Sequence, residues 1–211
     1  QGIYDICYIR HMPNISILAP ADYTEMVRML RYAIFEHKGP IAIRYPRGRG
    51  NVKVIDKIGA ADAIGIDVEN GAPDPSLAPI EYGKGVLLKE GKDLTILPAG
   101  NMAGVSLEAA RELEKRGILA EVINPRFLKP LDENLILNSA VKTGIIITIE
   151  DGITDGGFGS SVLEMINRKG FIIGKRERKT EQDRKHIDVK ILGFPNEPIP
   201  HGSRETLYRK Y

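Results

Sequence analysis

The chain has a single cysteine, Cys7, no tryptophan and only 6% aromatic residues. A lone cysteine excludes an internal disulfide and fits a reducing compartment, so a cytoplasmic location is expected. Set between Ile6 and Tyr8, it reads as packing rather than as a nucleophile. The four histidines, His11, His37, His186 and His201, have no metal-ligand spacing, which argues against a zinc site. Charge of one sign is lacking too: 30 basic against 28 acidic residues leave a net +2. No global field therefore draws in nucleic acid or an anionic membrane. No apolar run approaches the roughly 18 residues of a membrane-spanning helix. No internal repeat is visible.

What is present suits a soluble globular chain of one to two domains: 211 residues, 42% apolar and 27% charged. Residues 14–20 read as a short buried strand ended by Pro20. Asp22, three residues before Glu25, is a helix N-cap with a reciprocal partner. Tyr23, Met26, Val27, Leu30 and Ile34 follow at helical spacing and predict one apolar face. Gly39-Pro40 stops that helix, and residues 41–45 form the next strand. The result is a βαβ unit with parallel strands. Two strands and one helix leave a sheet edge and a sheet face bare. The chain is therefore expected to start inside a domain, and Gln1 in place of methionine is compatible with that.

The most informative stretch is Gly39-Pro40-Ile41-Ala42-Ile43-Arg44-Tyr45-Pro46-Arg47-Gly48. An apolar strand runs into two arginines held by a proline and released by a glycine. Ligands of open α/β sheets bind at such strand ends. A guanidinium fork there suits a phosphate or carboxylate, with Arg47 first and Arg44 second as candidates. For Arg47 the alternative is a salt bridge across a domain seam. Arg44 could instead support Arg47 or pair with a carboxylate.

Residues 51–82 read as a linker, with a Gly-Ala-Pro-Asp-Pro run from Gly71 and a short element at 60–66. A second domain begins at Gly83. Residues 85–89 and 93–97 flank Glu90-Gly91-Lys92 and predict a hairpin. A helix with Met102, Val105, Ala109 and Leu113 on one face ends at Gly117, and residues 120–123 form a strand. Asp132 caps a helix with Leu135, Ile136 and Ala140 that ends at Gly144. Residues 144–149 form a strand buried on both faces. Gly156-Gly157-Phe158-Gly159-Ser160 opens a helix with Val162, Leu163 and Ile166, and residues 187–192 make a last strand. The fold class is α/β, with a mainly parallel sheet and one antiparallel edge strand. The glycine-rich 156–160 turn could cradle an anion, but it lacks nucleotide-loop and dinucleotide spacings. Close packing of the helix against a neighbouring domain or subunit is the better reading. Glu150 and Asp151, at the end of a parallel strand, sit where catalytic carboxylates often sit. The charged 174–186 segment reads as a solvated loop, and His201 lies in a Pro-His-Gly turn.

Several segments match one family in order: Gln1-Gly-Ile-Tyr-Asp5, Pro13-Asn14 with Ala19-Pro20, and Arg44-Tyr-Pro-Arg-Gly48. Asn124-Pro-Arg-Phe-Leu-Lys-Pro-Leu-Asp132, Thr148-Ile-Glu-Asp-Gly152, Gly156 to Ser160 and His201-Gly202 continue the series. Together they resemble the C-terminal part of the 1-deoxy-D-xylulose-5-phosphate synthase family, within the transketolase-like thiamine diphosphate enzymes.

The resemblance implies that residues 1–50 are the end of a pyrimidine-binding-type domain, 51–82 a linker and 83–211 a transketolase C-terminal-like domain. It implies a transferase that condenses pyruvate and glyceraldehyde 3-phosphate with loss of carbon dioxide, feeding isoprenoid, thiamine and pyridoxal precursors. It gives Arg47 the acceptor's phosphate and sets residues 1–5 near the cofactor, with Gln1 and Tyr4 as candidate neighbours and packing of Tyr4 under the catalytic loop as the alternative. It makes the strand end at Glu150 and Asp151 structural, so these two are expected to be interface or loop-anchoring residues. Thiamine diphosphate and Mg2+ are implied for the intact enzyme. None is expected for this chain alone, because the family's magnesium motif and activating glutamate are not in it. No catalytic residue is expected here, and no activity alone. Partners implied are the missing N-terminal domains, or a chain carrying them, in a homodimer. Alternatives are a C-terminal subunit of another thiamine enzyme, such as a transketolase half or a 2-oxoacid dehydrogenase β subunit, or a non-catalytic assembly subunit.

Overall fold

The computed structural model describes residues 2–46, 79–174 and 186–211. The linker and its short 60–66 element lie outside them, as does nearly all of the charged 174–186 segment. The βαβ unit forms as its sequence dictates. Helix α1 (Asp5–Arg10) precedes β1 (Ser16–Leu18), α2 (Tyr23–Phe35) and β2 (Ile41–Ile43). The strands pair in parallel, Ser16 opposite Ile41 and Leu18 opposite Ile43. Asp22 accepts from the Glu25 N–H at 2.8 Å, and the Glu25 carboxylate accepts from the Ala21 N–H at 2.7 Å. The first bond satisfies an orphan donor of the first turn, and the second reaches past the cap to tie down Ala21, the residue before it.

The inward face of α2 differs from the one its large apolar residues predict. Glu25, Arg28, Met29 and Tyr32 are buried, whereas Ile34 is 70% and Phe35 77% exposed. Met29 and Tyr32 pack with Leu18, Ile80 and Phe127. The helix is apolar on two sides, and a buried ion network decides which side turns in.

In the remainder, β3 (Val86–Lys89), β4 (Leu94–Pro98), β5 (Ala120–Asn124), β6 (Phe127–Lys129), β7 (Ile145–Ile153), β8 (Ile172–Ile173) and β9 (His186–Phe194) alternate with helices. These are α3 (Met102–Glu114), α4 (Glu133–Thr143), α5 (Phe158–Arg168) and the terminal α6 (Arg204–Lys210). Six strands form one sheet in the order β3-β5-β4-β7-β9-β8. All its pairs are parallel except β3 with β5, so the antiparallel edge strand is where the pattern implied. The predicted hairpin does not form, because β5 lies between β3 and β4. Lys92 and Asp93 donate their N–H groups to the Leu119 carbonyl, and Asp93 accepts from the Leu119 N–H. A Cβ on Gly91 would stand 2.2 Å from the Ala120–Glu121 peptide. The glycine is there so that the connection can cross the start of β5, a role local turn chemistry does not reveal.

Helix α3 turns Met102, Ala103, Ser106, Leu107 and Ala110 inward, and Val105 of the predicted face is exposed. Small side chains let it approach the sheet closely, so size alone misjudged the face. Asp132 accepts from the Leu135 N–H at 3.1 Å, and α4 ends at left-handed Gly144. On β7, Ile146 and Thr148 are fully buried while Ile145 is partly exposed, so burial on both faces holds for part of the strand only.

Strand β6 leaves the main sheet and pairs antiparallel with β1, giving a second sheet of order β2-β1-β6. The core is correspondingly shared: Ile6, Ile17 and Ala19 pack with Leu97, Ile123, Phe158 and Met165.

Candidate functional site

The carboxyl ends of β2 and β7 meet. Arg44, first residue past β2, anchors its own N–H on the Leu18 carbonyl at 2.8 Å. Its guanidinium forms an ion pair with the Asp151 carboxylate. The other terminal nitrogen donates to the Asp151 carbonyl at 3.1 Å and to the Gly2 carbonyl at 3.4 Å. The carboxylate side chain is 8% exposed. Of the two roles open to Arg44 besides substrate contact, the structure displays the pairing with a carboxylate. Arg47 lies outside the described residues, as does Gln1. Tyr4 is half-buried, stacks on Tyr8 at 6.1 Å and directs its hydroxyl to the Glu197 carbonyl at 3.4 Å.

Beside this junction lies a cleft of about 750 Å³. Gly2, Ile3 and the Arg44–Pro46 segment line it, together with Phe194, His201 and Tyr208. A volume of this order accommodates a small metabolite. Burial and the nearby Asp151 raise the Tyr208 phenol above its ordinary value, against a hydrogen bond to Asn101. His201 thus faces the cleft that the arginine strand enters.

Glu150, one residue before Asp151, closes the glycine-rich turn. Its carboxylate accepts from the Phe158 N–H at 2.9 Å and the Gly159 N–H at 2.8 Å. The N–H groups at the start of α5 are therefore already taken by the chain's own carboxyl group. Of the packing expected against a neighbouring domain, only Gly156 takes part, where a Cβ would stand 2.9 Å from Cys7 Sγ; the other glycines pack within their own domain. A Cβ on Gly159 would lie 2.5 Å from both Ile191 and Thr148, and one on Gly157 would lie 2.4 Å from the Glu150 carboxylate. The glycines bring the helix onto the sheet.

Burial pushes the Glu150 carboxyl from 4.5 up to about 7, against the pull of the two N–H donors and of Arg44. The native state thus holds this proton more tightly than the unfolded chain. The resulting stabilisation is complete below pH 4.5 and is lost as pH rises to about 7. Its full size is about 3 kcal/mol. Chemical denaturation from pH 4 to 8 should show wild-type stability falling over that window relative to Glu150→Gln, which lacks the titration. Parallel profiles would refute the assignment.

A second charged cluster went unrecognised in the sequence, where Glu25 reads only as a capping partner. Its carboxylate also takes Arg126 Nε at 2.6 Å and Asn124 Nδ2 at 2.9 Å. Arg126 adopts a positive φ of 55° to reach it. Arg28 lies at the same seam, its pKa lowered by burial and by Arg126. The positive φ and the partner across the fold leave no local signal.

Two family profiles match the chain. One, described as the transketolase C-terminal domain, covers residues 83–211, and one described as the transketolase pyrimidine binding domain covers residues 1–52. The chain is 43% identical over 208 residues to a 1-deoxy-D-xylulose-5-phosphate synthase of Desulfotalea psychrophila, and 39% identical over 211 residues to one of Heliobacterium modesticaldum. The two matches cover 99% and 100% of this chain, which spans 28% of the length of either relative. Among solved structures, a split gene transketolase described as an inactive β4 tetramer superposes with TM-score 0.75 at 30% identity, over 100% of this chain and 57% of that one. A transketolase mutant from Pichia stipitis superposes with TM-score 0.54 over 74% of this chain and 21% of its own; at 21% identity it speaks for the fold alone.

Proposed function

The chain belongs to the transketolase family, and we propose that it is the C-terminal portion of a 1-deoxy-D-xylulose-5-phosphate synthase. That enzyme would join pyruvate to glyceraldehyde 3-phosphate and release carbon dioxide. The observation that carries this reading is the similarity to such synthases along the full chain, at 43% and 39% identity. The arginine-bearing strand end beside a cleft supports it, because the acceptor brings a phosphate to be held.

Family membership implies thiamine diphosphate in the intact enzyme. Among the described residues no group of three or more His, Cys, Asp or Glu could hold a metal ion. We read Mg2+ and the cofactor's diphosphate as held by the missing N-terminal domains. The work left to this chain is binding and orientation. Arg47 would grip the acceptor phosphate and so fix the position of its aldehyde carbon. We read residues 1–50, 51–82 and 83–211 as the domain end, linker and C-terminal domain, a division the two family matches support.

The remaining length would come from N-terminal domains or from a partner chain. The likeness to a split gene transketolase favours considering the second arrangement. The exposed Ile34 and Phe35 on α2 support a covering partner, in keeping with a homodimer. No helix among the described residues is long and apolar enough to cross a membrane, and a cytoplasmic enzyme is the reading adopted.

The test is a chimera in which this chain replaces the matching 28% of the Desulfotalea psychrophila synthase. It should form 1-deoxy-D-xylulose 5-phosphate from pyruvate and glyceraldehyde 3-phosphate. A folded chimera that transfers a ketol unit from a ketose phosphate, and forms no such product, would favour a transketolase half instead.

A further inference from the structure

Resting on that functional reading, we infer that Asp151 is a positioning residue for the phosphorylated acceptor, acting through Arg44 on the segment that leaves β2. The family resemblance assigns the acceptor to the arginine strand alone. The structure shows that strand's exit held by the C-terminal domain.

Asp151 sits on β7, which is flanked by β4 and β9 in the interior of the main sheet. It engages Arg44 twice, through its carboxylate and through its carbonyl. A planar guanidinium held at two terminal nitrogens is fixed in direction as well as place. The strand behind it is fixed too, by the Arg44 N–H on Leu18. The backbone thus leaves β2 toward Tyr45 and Pro46, both on the wall of the cleft, with little freedom.

The same end of β7 holds a second segment of that wall. The Ile153 N–H donates to the Ile3 carbonyl at 3.0 Å, and a Cβ on Gly152 would stand 3.2 Å from that carbonyl. The Gly2 carbonyl shares the Arg44 fork. Two of the segments that line the cleft, residues 2–3 and 44–46, are therefore tied to residues 151–153. Those residues are backed in turn by the hydrogen bonds of the neighbouring Glu150 carboxylate to the start of α5, and by Gly193, where a Cβ would meet the Gly152 carbonyl at 2.8 Å. The Thr148-Ile-Glu-Asp-Gly152 and Gly156 to Ser160 motifs, which carry no chemistry of their own, find a role here: they form the rigid mount of the arginine strand.

Asp151→Asn keeps the backbone carbonyl bond and loses the ion pair. In the chimeric synthase it should raise the acceptor KM about tenfold. The pyruvate KM should stay unchanged and kcat at saturating acceptor should stay within about threefold. Arg44→Lys, which keeps the charge and loses the fork, reaches the same contact from the other side. It should give the same split, and the double variant should be no worse than either single one. Two results would overturn the inference: additive effects of the two substitutions, or a fall in both substrates' parameters that tracks lost thermal stability. An acceptor KM unmoved by Asp151→Asn while Arg47→Ala raises it would do so as well, leaving the functional reading intact. If Arg47→Ala also leaves it unmoved, the assignment of the acceptor phosphate to Arg47 fails, and the positioning role with it, while a chimera that still forms the product keeps the functional reading.

Discussion

Replacing Arg47 by alanine in the chimeric synthase is expected to raise the KM for glyceraldehyde 3-phosphate about 100-fold and to leave that for pyruvate unchanged. The physical basis is the phosphate's charge of nearly two. A guanidinium fork offers it two charge-assisted hydrogen bonds, each contributing about 1.5 kcal/mol or more. Their sum of about 3 kcal/mol corresponds to roughly 100-fold in affinity. Pyruvate has no phosphate and should not register the change. The kcat should move little, since the phosphate lies away from the reacting carbon and is held alike before and during reaction. Arg47→Lys should fall between, because an ammonium keeps the charge and loses the fork. Steady-state kinetics with each substrate varied in turn checks this. An equal rise in both KM values would point to a general disturbance of the site.

The largest effect on stability is expected from Glu25→Ala. The Glu25 side chain is 0% exposed and accepts from Ala21, Asn124 and Arg126. Truncation leaves the Arg126 guanidinium buried without its counter-charge and orphans the Ala21 N–H. Breaking one side of such a buried pair costs about 3–5 kcal/mol. For a chain of this size that is a loss of about 10 °C in Tm. Glu112→Ala is the contrasting case: its partner Lys115 is 70% exposed, and the pair contributes within about 0.5 kcal/mol. Thermal unfolding followed by circular dichroism compares the two. Equal small shifts would mean that the seam around Glu25 admits water and tolerates the lost charge.

The same cluster shows what a sequence reveals and what it hides. Asp22 and Asp132 were legible as helix caps because the bonds they make are local, three residues long. The parallel β1–α2–β2 unit was legible for the same reason, its period and breakers lying within one short segment. The pairing of β3 was not, because Glu90-Gly91-Lys92 resembles a tight turn, and only the presence of β5 beneath Gly91 turns it into a crossover. The inward faces of α2 and α3 were misjudged by weighing large apolar side chains. In α2 an ion network outweighs Leu30 and Ile34, and in α3 Ala103 and Ala110 gain by close approach what they lack in size. At the site, the residue type that Arg44 could pair with was legible, but its identity, Asp151, was not. That contact spans 107 positions and depends on how two sheets meet. The family resemblance was carried by short motifs, and the family profiles and the similarity to synthases along the chain bear out the family.

The most direct test of the central claim compares two acceptors in the chimera: glyceraldehyde 3-phosphate and unphosphorylated D-glyceraldehyde. The ratio of their kcat/KM values reports what the phosphate grip contributes, free of any general change in the enzyme. A preference of about 100-fold or more for the phosphorylated acceptor, collapsing to within about threefold in Arg47→Ala, is the predicted result. A preference that survives intact in Arg47→Ala would contradict it.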